Sequence, residues 1–376
     1  MVQTAETEPI IGLEKDLSLP YLTPELKSDL TRSFTSEFVD PNSWVGIADL
    51  GVVKALSDGL RSGFPAEKVG EAQLNLLRVL HDVFGEKMVI VDAGDLRQGI
   101  EALMKRSLYQ DPSSLAVTFD HMYVPQSPEI NVTRIISKEG ELLGQGPRPC
   151  CPPLEQQVRE IHRQYSNVSS VTLVDDVLFS TSTAIRLIEQ LRKEGFCVNT
   201  MIVGVAKESS IARLKEAKVF TQALVFARDP IIDIVDIRDL VPSVPLGGRV
   251  VGHRTENGFE PYSDQNGIYF RIPYLKPGGY PEEWATIPQN HVKGVSVAGW
   301  NTSRTIFAAL ETTLQKPIVL GDLTSATRSA GFPGPPPKHM NGNGLDPNYP
   351  LYEVLSHKLR KAMGIKPKGT VYSCPS

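Results

Sequence analysis

Short apolar runs alternate with amphipathic stretches along the middle of this chain. Runs rich in β-branched residues begin at Met88, Val171 and Cys197, and apolar residues at helical spacing follow each of them. Alternation of this kind favours βαβ units, in which right-handed crossovers join parallel strands. We therefore predict an α/β fold with a parallel sheet and flanking helices, and a ligand site at the carboxyl ends of the strands.

Changes in composition on either side of this alternation predict four regions. Residues 1–85 are predicted to form an N-terminal helical extension, and residues 86–230 the α/β core. Residues 231–330 are turn-rich and aromatic at first, which predicts an irregular or β-rich accessory region. Residues 331–376 begin with many prolines and glycines, so we predict a linker followed by a C-terminal helix.

Charge and composition argue against several classes of function. The 376 residues carry a formal net charge of −4, whereas nucleic-acid-binding domains are usually basic, so we expect no nucleic-acid partner. No apolar run approaches the roughly 20 residues that a membrane helix needs. The first residues lack the features of a secretory signal, and the four cysteines lack the spacing of a zinc site. We expect a cytoplasmic protein without a transmembrane segment, and a homodimer is left open.

The stretch VTLVDDVLFSTSTAIRLIEQL carries the strongest chemical signal. An apolar strand ends in Asp175 and Asp176, and a run of hydroxyl residues then leads into an amphipathic helix. Neighbouring carboxylates can accept hydrogen bonds from a diol, and the unpaired N–H groups at a helix N-terminus attract anions. The pattern indicates a site for a phosphorylated, polyhydroxylated ligand. The alternative is a capped strand-to-helix turn, because Asp, Ser and Thr are common in turns and caps.

These residues resemble the 5-phosphoribosyl-1-diphosphate (PRPP) signature of type I phosphoribosyltransferases. Val171–Val174 is similar to the strand of that signature, and Asp175–Asp176 to its acidic pair. The residues similar to its 5-phosphate loop are Phe179, Ser180, Thr181, Ser182 and Thr183. The sequence departs from the family at Phe179, where a small residue is usual, and at Thr181, where glycine is usual.

The resemblance implies a type I phosphoribosyltransferase-like core and a defined reaction. PRPP would donate its 5-phosphoribosyl group to an acceptor and release pyrophosphate. Asp175 and Asp176 would be the catalytic residues, near a Mg²⁺ ion held largely by the ligand's diphosphate. An earlier strand–loop–helix, VIVDAGDLRQG, would provide the diphosphate loop, with Asp92, Ala93, Gly94, Asp95 and Arg97. The alternative for this loop is an ordinary turn with a solvated arginine.

The acceptor is the least constrained part of the prediction. In the family a flexible hood closes over the reaction, and residues 120–150 would correspond to it, with Arg134, Lys138 and Arg148 as candidate cations. The large mass outside the core favours an unusual acceptor, such as a sugar hydroxyl of a glycan or glycolipid intermediate. A hydroxyl acceptor needs a general base. The candidate base and acceptor residues are Asp120, His121, Asp236 and Arg249, and for each of them a structural role is the alternative.

Three other functions stay open from the sequence. One is a nucleobase phosphoribosyltransferase. The second is a catalytically weak regulatory protein that binds PRPP or a nucleotide, which the departures at Phe179 and Thr181 favour. The third is a dehydrogenase or phosphatase with a different α/β fold, which is disfavoured because no G-x-G-x-x-G follows a strand and the acids are adjacent.

Overall fold

A computed structural model describes most of the chain. The described residues are 39, 41–49, 51–61, 63–120, 122–137, 139–148, 151–241, 249–255, 258–262, 271–319, 322 and 351–364. Among them, no helix combines the length and the apolar character that crossing a membrane requires.

The described elements follow the alternation that the sequence predicts between Met88 and Ala227 and extend beyond it on both sides. The strands are β1 (Trp44–Ala48), β2 (Met88–Asp92), β3 (Ser114–Thr118), β4 (Val132–Ile136), β5 (Leu142–Pro147), β6 (Ser170–Leu178), β7 (Cys197–Lys207), β8 (Phe220–Ala227), β9 (Asp233–Asp236), β10 (Arg249–Thr255), β11 (Gly258–Pro261) and β12 (Arg271–Ile272). The α-helices are α1 (Gly51–Gly59), α2 (Ala66–Phe84), α3 (Ala93–Gln110), α4 (Leu154–Gln164), α5 (Ser182–Lys193), α6 (Glu208–Glu216), α7 (Pro281–Trp284), α8 (Val292–Leu314) and α9 (Leu351–Met363). Two short 3₁₀ helices, Gly85–Lys87 and Ile237–Leu240, complete the set.

The first sheet confirms the predicted parallel α/β architecture. Four parallel strands run in the order β3-β6-β7-β8, and helices connect β6 to β7 and β7 to β8. Buried apolar residues of its strands belong to one apolar cluster with residues of α4 and α5, for example Leu173 with Val158 and Leu187. The sheet therefore places the carboxyl end of β6 at one edge of a packed core.

A second parallel sheet crosses the predicted domain boundaries. It has the order β2-β1-β9, with Trp44 opposite both Met88 and Asp233. All of β1 is buried, and the Trp44 ring stacks on Phe84 with the centroids 4.8 Å apart. The predicted N-terminal extension thus supplies the central strand of a sheet, and the predicted accessory region supplies one of its edge strands.

The β-rich part is assembled from two distant segments. The hairpin β4–β5 is antiparallel, β4 pairs in parallel with β10, and β10 also pairs with β11 and β12. The strands β4 and β5, which lie in the predicted hood loop, therefore share one sheet with β10, β11 and β12. At the turn of the hairpin, Gly140 has a φ of 97°, and a Cβ there would lie 2.9 Å from the Tyr280 ring.

The helices outside the predicted core pack on the second sheet. Residues of α2, α8 and α9 belong to the same apolar cluster as those of β1 and β2, and the Thr302 hydroxyl of α8 donates to the Ala72 carbonyl of α2 at 3.3 Å. The predicted C-terminal helix is observed as α9. The predicted linker before it lies outside the described residues.

Candidate functional site

A cavity of about 560 Å³ lies where the two parallel sheets meet the β-rich sheet. Its acidic side comes from β6, β9 and the residues that follow β3, and its other side from β4, β10 and the segment around α7. The two sides meet where the Thr286 hydroxyl donates to Asp233 at 3.4 Å. The lining residues with ionisable or hydroxyl side chains on the acidic side are Asp120, Asp175, Asp176, Ser180, Thr183, Asp233, Asp236, Arg238 and Asp239. Those on the other side are Thr133, Arg134, Glu141, Arg148, Arg249, Tyr274, Glu283 and Thr286.

Asp175 and Asp176 reach the cavity because β6 is longer than its neighbour. The pairing of β3 with β6 stops at Val174, whose carbonyl accepts a last hydrogen bond from the Phe119 N–H at 3.1 Å. On its other side β6 stays paired with β7 as far as Leu178. The two acids are therefore held on a rigid strand, and both line the cavity.

One arginine is surrounded by four aspartates, and we call this group the Arg238 cluster. Arg238 lies 3.2 Å from Asp49, 2.7 Å from Asp120, 2.9 Å from Asp236 and 3.9 Å from Asp176. Asp49 follows β1, Asp120 follows β3 and Asp236 ends β9, so the parallel strands bring their carboxyl ends together here.

Burial and mutual repulsion shift the protonation of the acids. Burial, with the charge of Asp120, raises the pKa of Asp176 to about 6. Burial, with the charge of Asp176, raises the pKa of Asp175 well above its usual value. Burial opposes ionisation of Asp120 as well, but Arg238 holds the pKa of that carboxyl below its usual value. The acid pair can therefore hold a proton near neutral pH, whereas Asp120 is an anion.

The predicted 5-phosphate loop reaches the cavity with only part of its side chains. Phe179, Ser180 and Thr183 line the cavity. The Ser182 hydroxyl instead accepts a hydrogen bond from the Gln145 amide at 2.9 Å. Helix α5 begins at Ser182, so its first N–H groups follow the loop directly.

The two departures from the family pattern have distinct surroundings. Thr181 is fully buried, and its hydroxyl makes no hydrogen bond to any described residue. Phe179 lies beneath the Lys207 ammonium, 5.2 Å from its ring centroid, and its carbonyl accepts from the Ser210 hydroxyl at 2.8 Å. Thr181 therefore turns into the core, and Phe179 holds the loop against the end of β7 and the first turn of α6.

The predicted diphosphate loop is not a loop in the structure. Helix α3 begins at Ala93, immediately after β2, because the Asp92 carboxylate caps it by accepting from the N–H groups of Gly94 at 2.8 Å and Asp95 at 3.0 Å. Arg97 pairs with Glu101 one turn further on, at 3.1 Å. The loop prediction was wrong since D-A-G-D is a capping sequence here, and none of these residues lines the cavity.

The other predicted residues fall in different places. Asp120 and Asp236 belong to the Arg238 cluster, and Arg249 lies on the other side of the cavity. Arg148 lines the cavity but donates to the carbonyls of Val132 at 3.2 Å and Phe119 at 3.1 Å. His121 and Lys138 lie outside the described residues.

Sequence reasoning missed three residues of the site. Asp49 follows the apolar run WVGIA, which is the same signal that identified Asp175, but the run was assigned to a helical region. Arg238 lies two positions after Asp236. The sequence predicts Asp236 as a candidate base but does not single out the arginine. Asp233, which is buried in the cavity wall, begins the short run DIVD, and burial raises its pKa to about 6.

Within the described part of the chain, no three His, Cys, Asp or Glu side chains are grouped so as to hold a metal ion. No protein-family model matches this chain. A search of curated proteins gives no match either.

Proposed function

We propose that this protein transfers the 5-phosphoribosyl group of PRPP to an acceptor and releases pyrophosphate. The observation that carries the proposal is the joint placement of Asp175, Asp176, Ser180 and Thr183 in one cavity. A single strand–loop–helix unit there presents two carboxylates, two hydroxyls and the N-terminus of a twelve-residue helix. These groups match the diol and the phosphate at the two ends of a phosphorylated ribose.

The ribose and its phosphate would bind to opposite ends of this unit. Asp175 and Asp176 accept hydrogen bonds from the 2- and 3-hydroxyls of the ribose. Ser180, Thr183 and the first N–H groups of α5 donate to the 5-phosphate, and the helix dipole favours its negative charge. β6 is paired with β7 as far as Leu178, so the acid pair is held on a rigid strand immediately before the loop that would bind the phosphate.

The chemical step would break the bond between C1 of the ribose and the diphosphate oxygen, and form a bond from C1 to the acceptor. The charge of the carboxylates opposes the positive charge that develops on the ribose ring. The acceptor's proton would pass to a base, and Asp233 suits this role because it lines the cavity and its pKa is raised by burial to about 6.

Magnesium fits this site as a ligand-held ion. Mg²⁺ bound to phosphates usually needs one or two protein carboxylates, and Asp175 and Asp176 both line the cavity. When bound, the ion neutralises charge on the departing diphosphate. The acceptor we favour is a hydroxyl group of a sugar, as in a glycan or glycolipid intermediate, with a nucleobase as the alternative acceptor.

Binding and turnover test the proposal together. Calorimetry with PRPP and Mg²⁺ should show binding to the wild type, a loss of at least tenfold in Asp175→Asn and Asp176→Asn, and no change in the control Asp82→Asn, an exposed acid on α2. Pyrophosphate release should then follow addition of a suitable acceptor. Wild-type affinity in both cavity variants would rule the proposal out.

A regulatory PRPP-binding protein is the second candidate. It is favoured by the burial of Thr181 at the position where the family usually has glycine, because the altered loop could bind PRPP without aligning it for attack. Such a protein would bind PRPP in the same calorimetric test, but it would release no pyrophosphate with any acceptor.

A further inference from the structure

Two arginines lie side by side in the cavity lining, one on β4 and one on β10. β4 and β10 are parallel, with Val250 opposite Ile135, so Arg249 and Arg134 are neighbours one position earlier. Both line the cavity. Like charges on neighbouring strands repel each other, and such a pair is stabilised when an anion binds between them. We call Arg134 and Arg249 the basic wall.

Acids near the basic wall contribute to its field but do not pair with it. Neither arginine forms an ion pair with a carboxylate among the described residues. Asp233, whose charge favours the charged form of Arg134, accepts from the Ile234 N–H at 2.8 Å and from the Thr286 hydroxyl at 3.4 Å. Asp239 also contributes to the field at Arg134 without pairing with it. Burial and the charge of Arg249 lower the pKa of Arg134, as expected where two cations meet.

Aromatic rings, not carboxylates, hold Arg249. Its guanidinium lies 4.6 Å from the ring centroid of Tyr274 and 5.4 Å from that of Trp284. The Nε of Arg249 and the Nε1 of Trp284 are both buried without a hydrogen-bond partner among the described residues. Both residues line the cavity. Buried donors are nearly always paired in folded proteins, so unpaired donors on two residues of one cavity point to a ligand that accepts from them.

We propose that the basic wall, together with the indole N–H of Trp284, is a second anion site that binds a carboxylate or phosphate group. It uses residues other than those of the predicted 5-phosphate loop, since Arg134 and Arg249 belong to β4 and β10. The two groups are linked through β5, because Arg134 pairs with Gln145, whose amide donates to the Ser182 hydroxyl at 2.9 Å. If the proposed function holds, this anion comes from one of two molecules. It is a charged group of the acceptor, or it is the diphosphate of the donor.

The site can be tested without PRPP. Titration of inorganic pyrophosphate, followed by calorimetry and by tryptophan fluorescence, should show binding to the wild type and at least a tenfold loss in Arg249→Gln and Arg134→Gln. Arg163→Gln, which removes an exposed arginine of α4, should bind as the wild type does. Trp284→Phe should weaken binding and remove the fluorescence change. Equal pyrophosphate affinity in the wild type and both cavity variants would overturn the proposal.

A conservative variant guards against misfolding. Arg249→Lys keeps the charge but loses the planar fork of donors, so it should bind pyrophosphate with an affinity between those of the wild type and Arg249→Gln. Near-ultraviolet circular dichroism should show a native spectrum for Arg249→Lys. If a natively folded Arg249→Lys and the wild type bind equally while Arg134→Gln also binds normally, the second anion site does not exist.

Titration with PRPP separates the two sources of the anion. A loss of PRPP affinity in Arg249→Gln equal to the loss for pyrophosphate assigns the site to the donor's diphosphate. An unchanged PRPP affinity assigns it to the acceptor. If no variant or wild type binds PRPP while pyrophosphate binding still depends on the arginines, the proposed function fails and the anion site stands.

Discussion

The two walls of the cavity handle buried charge in opposite ways. In the Arg238 cluster, four aspartates from separate strand ends surround a single arginine and are joined to it by ion pairs. In the basic wall, two arginines meet without a carboxylate partner among the described residues. Arg238 is committed to the aspartates around it, whereas the arginines of the basic wall are available to a ligand. This difference in ion pairing distinguishes charged groups with a structural role from charged groups that can bind a ligand.

Replacing Arg238 should have the largest effect on stability. Arg238→Met leaves four buried or partly buried carboxylates without their counter-charge, and breaking a buried ion pair from one side costs about 3–5 kcal/mol. The free energy of unfolding, measured in urea, should fall by about that amount. Arg163→Gln, whose partner Glu160 lies 2.6 Å away on an exposed surface, should change it by less than about 0.5 kcal/mol. A similarly small change in both variants would show that the Arg238 cluster contributes no more to stability than an exposed ion pair.

Neutralising Asp175 should stabilise the protein. Burial and the charge of Asp176 make ionisation of Asp175 costly, so Asp175→Asn removes an unfavourable charge at neutral pH. We expect the free energy of unfolding at pH 7 to be higher in Asp175→Asn than in the wild type, because the pKa of Asp175 is raised in the folded protein. Asp82→Asn should leave it unchanged. A loss of stability in Asp175→Asn would show that this carboxylate has a structural role.

Asp176 should make stability depend on pH. Its pKa is about 6 in the folded protein because of burial and the charge of Asp120, and about 3.9 in an unfolded chain. The folded state therefore binds the proton more tightly, so this contribution is complete below about pH 4 and is lost as the pH rises through about 6. Urea unfolding across this window should show a smaller fall in stability for Asp176→Asn than for the wild type. Equal losses of stability in Asp176→Asn and the wild type would show that another group causes the pH dependence.

Removing the basic wall should have the smallest effect on stability. In Arg134→Gln with Arg249→Gln, relief of repulsion offsets the loss of the contacts with Tyr274 and Trp284, so the free energy of unfolding should change by less than about 1 kcal/mol. The measurement is urea unfolding at low salt, where repulsion between the arginines is strongest. A loss as large as that of Arg238→Met would show that the basic wall is a structural element like the Arg238 cluster.

Local patterns in the sequence predicted the elements between Met88 and Ala227, but not how strands from the rest of the chain join them. The run DD-VLFSTST placed Asp175, Asp176, Ser180 and Thr183 correctly on one strand–loop–helix unit, because these residues are neighbours in sequence. The strand β1 was missed because a run of five apolar residues has no period of its own. Its partners lie far away in the chain, and no local signal encodes that pairing.

The helix that begins at Ala93 shows a different limit of prediction from sequence. A glycine and two aspartates within four residues are equally typical of a turn and of a helix cap, and only the hydrogen bonds from Gly94 and Asp95 to Asp92 distinguish them. The Arg238 cluster could not be predicted at all from spacing, since its charges meet only after the four strands β1, β3, β6 and β9 have been brought together.

The central position of β1 bears on the order in which the protein can assemble during its synthesis. A ribosome delivers Asp49, Asp120 and Asp176 before Arg238, which is 189 positions after Asp49. Until then β1 lacks its neighbour β9, and the acids lack their counter-charge. We expect the first sheet to form early and the cavity to be completed last, because non-local pairings form slowly. In pulse-labelled hydrogen exchange during refolding, the amides of β7 should become protected before those of β1. An incomplete chain would then contain a folded sheet but no working cavity.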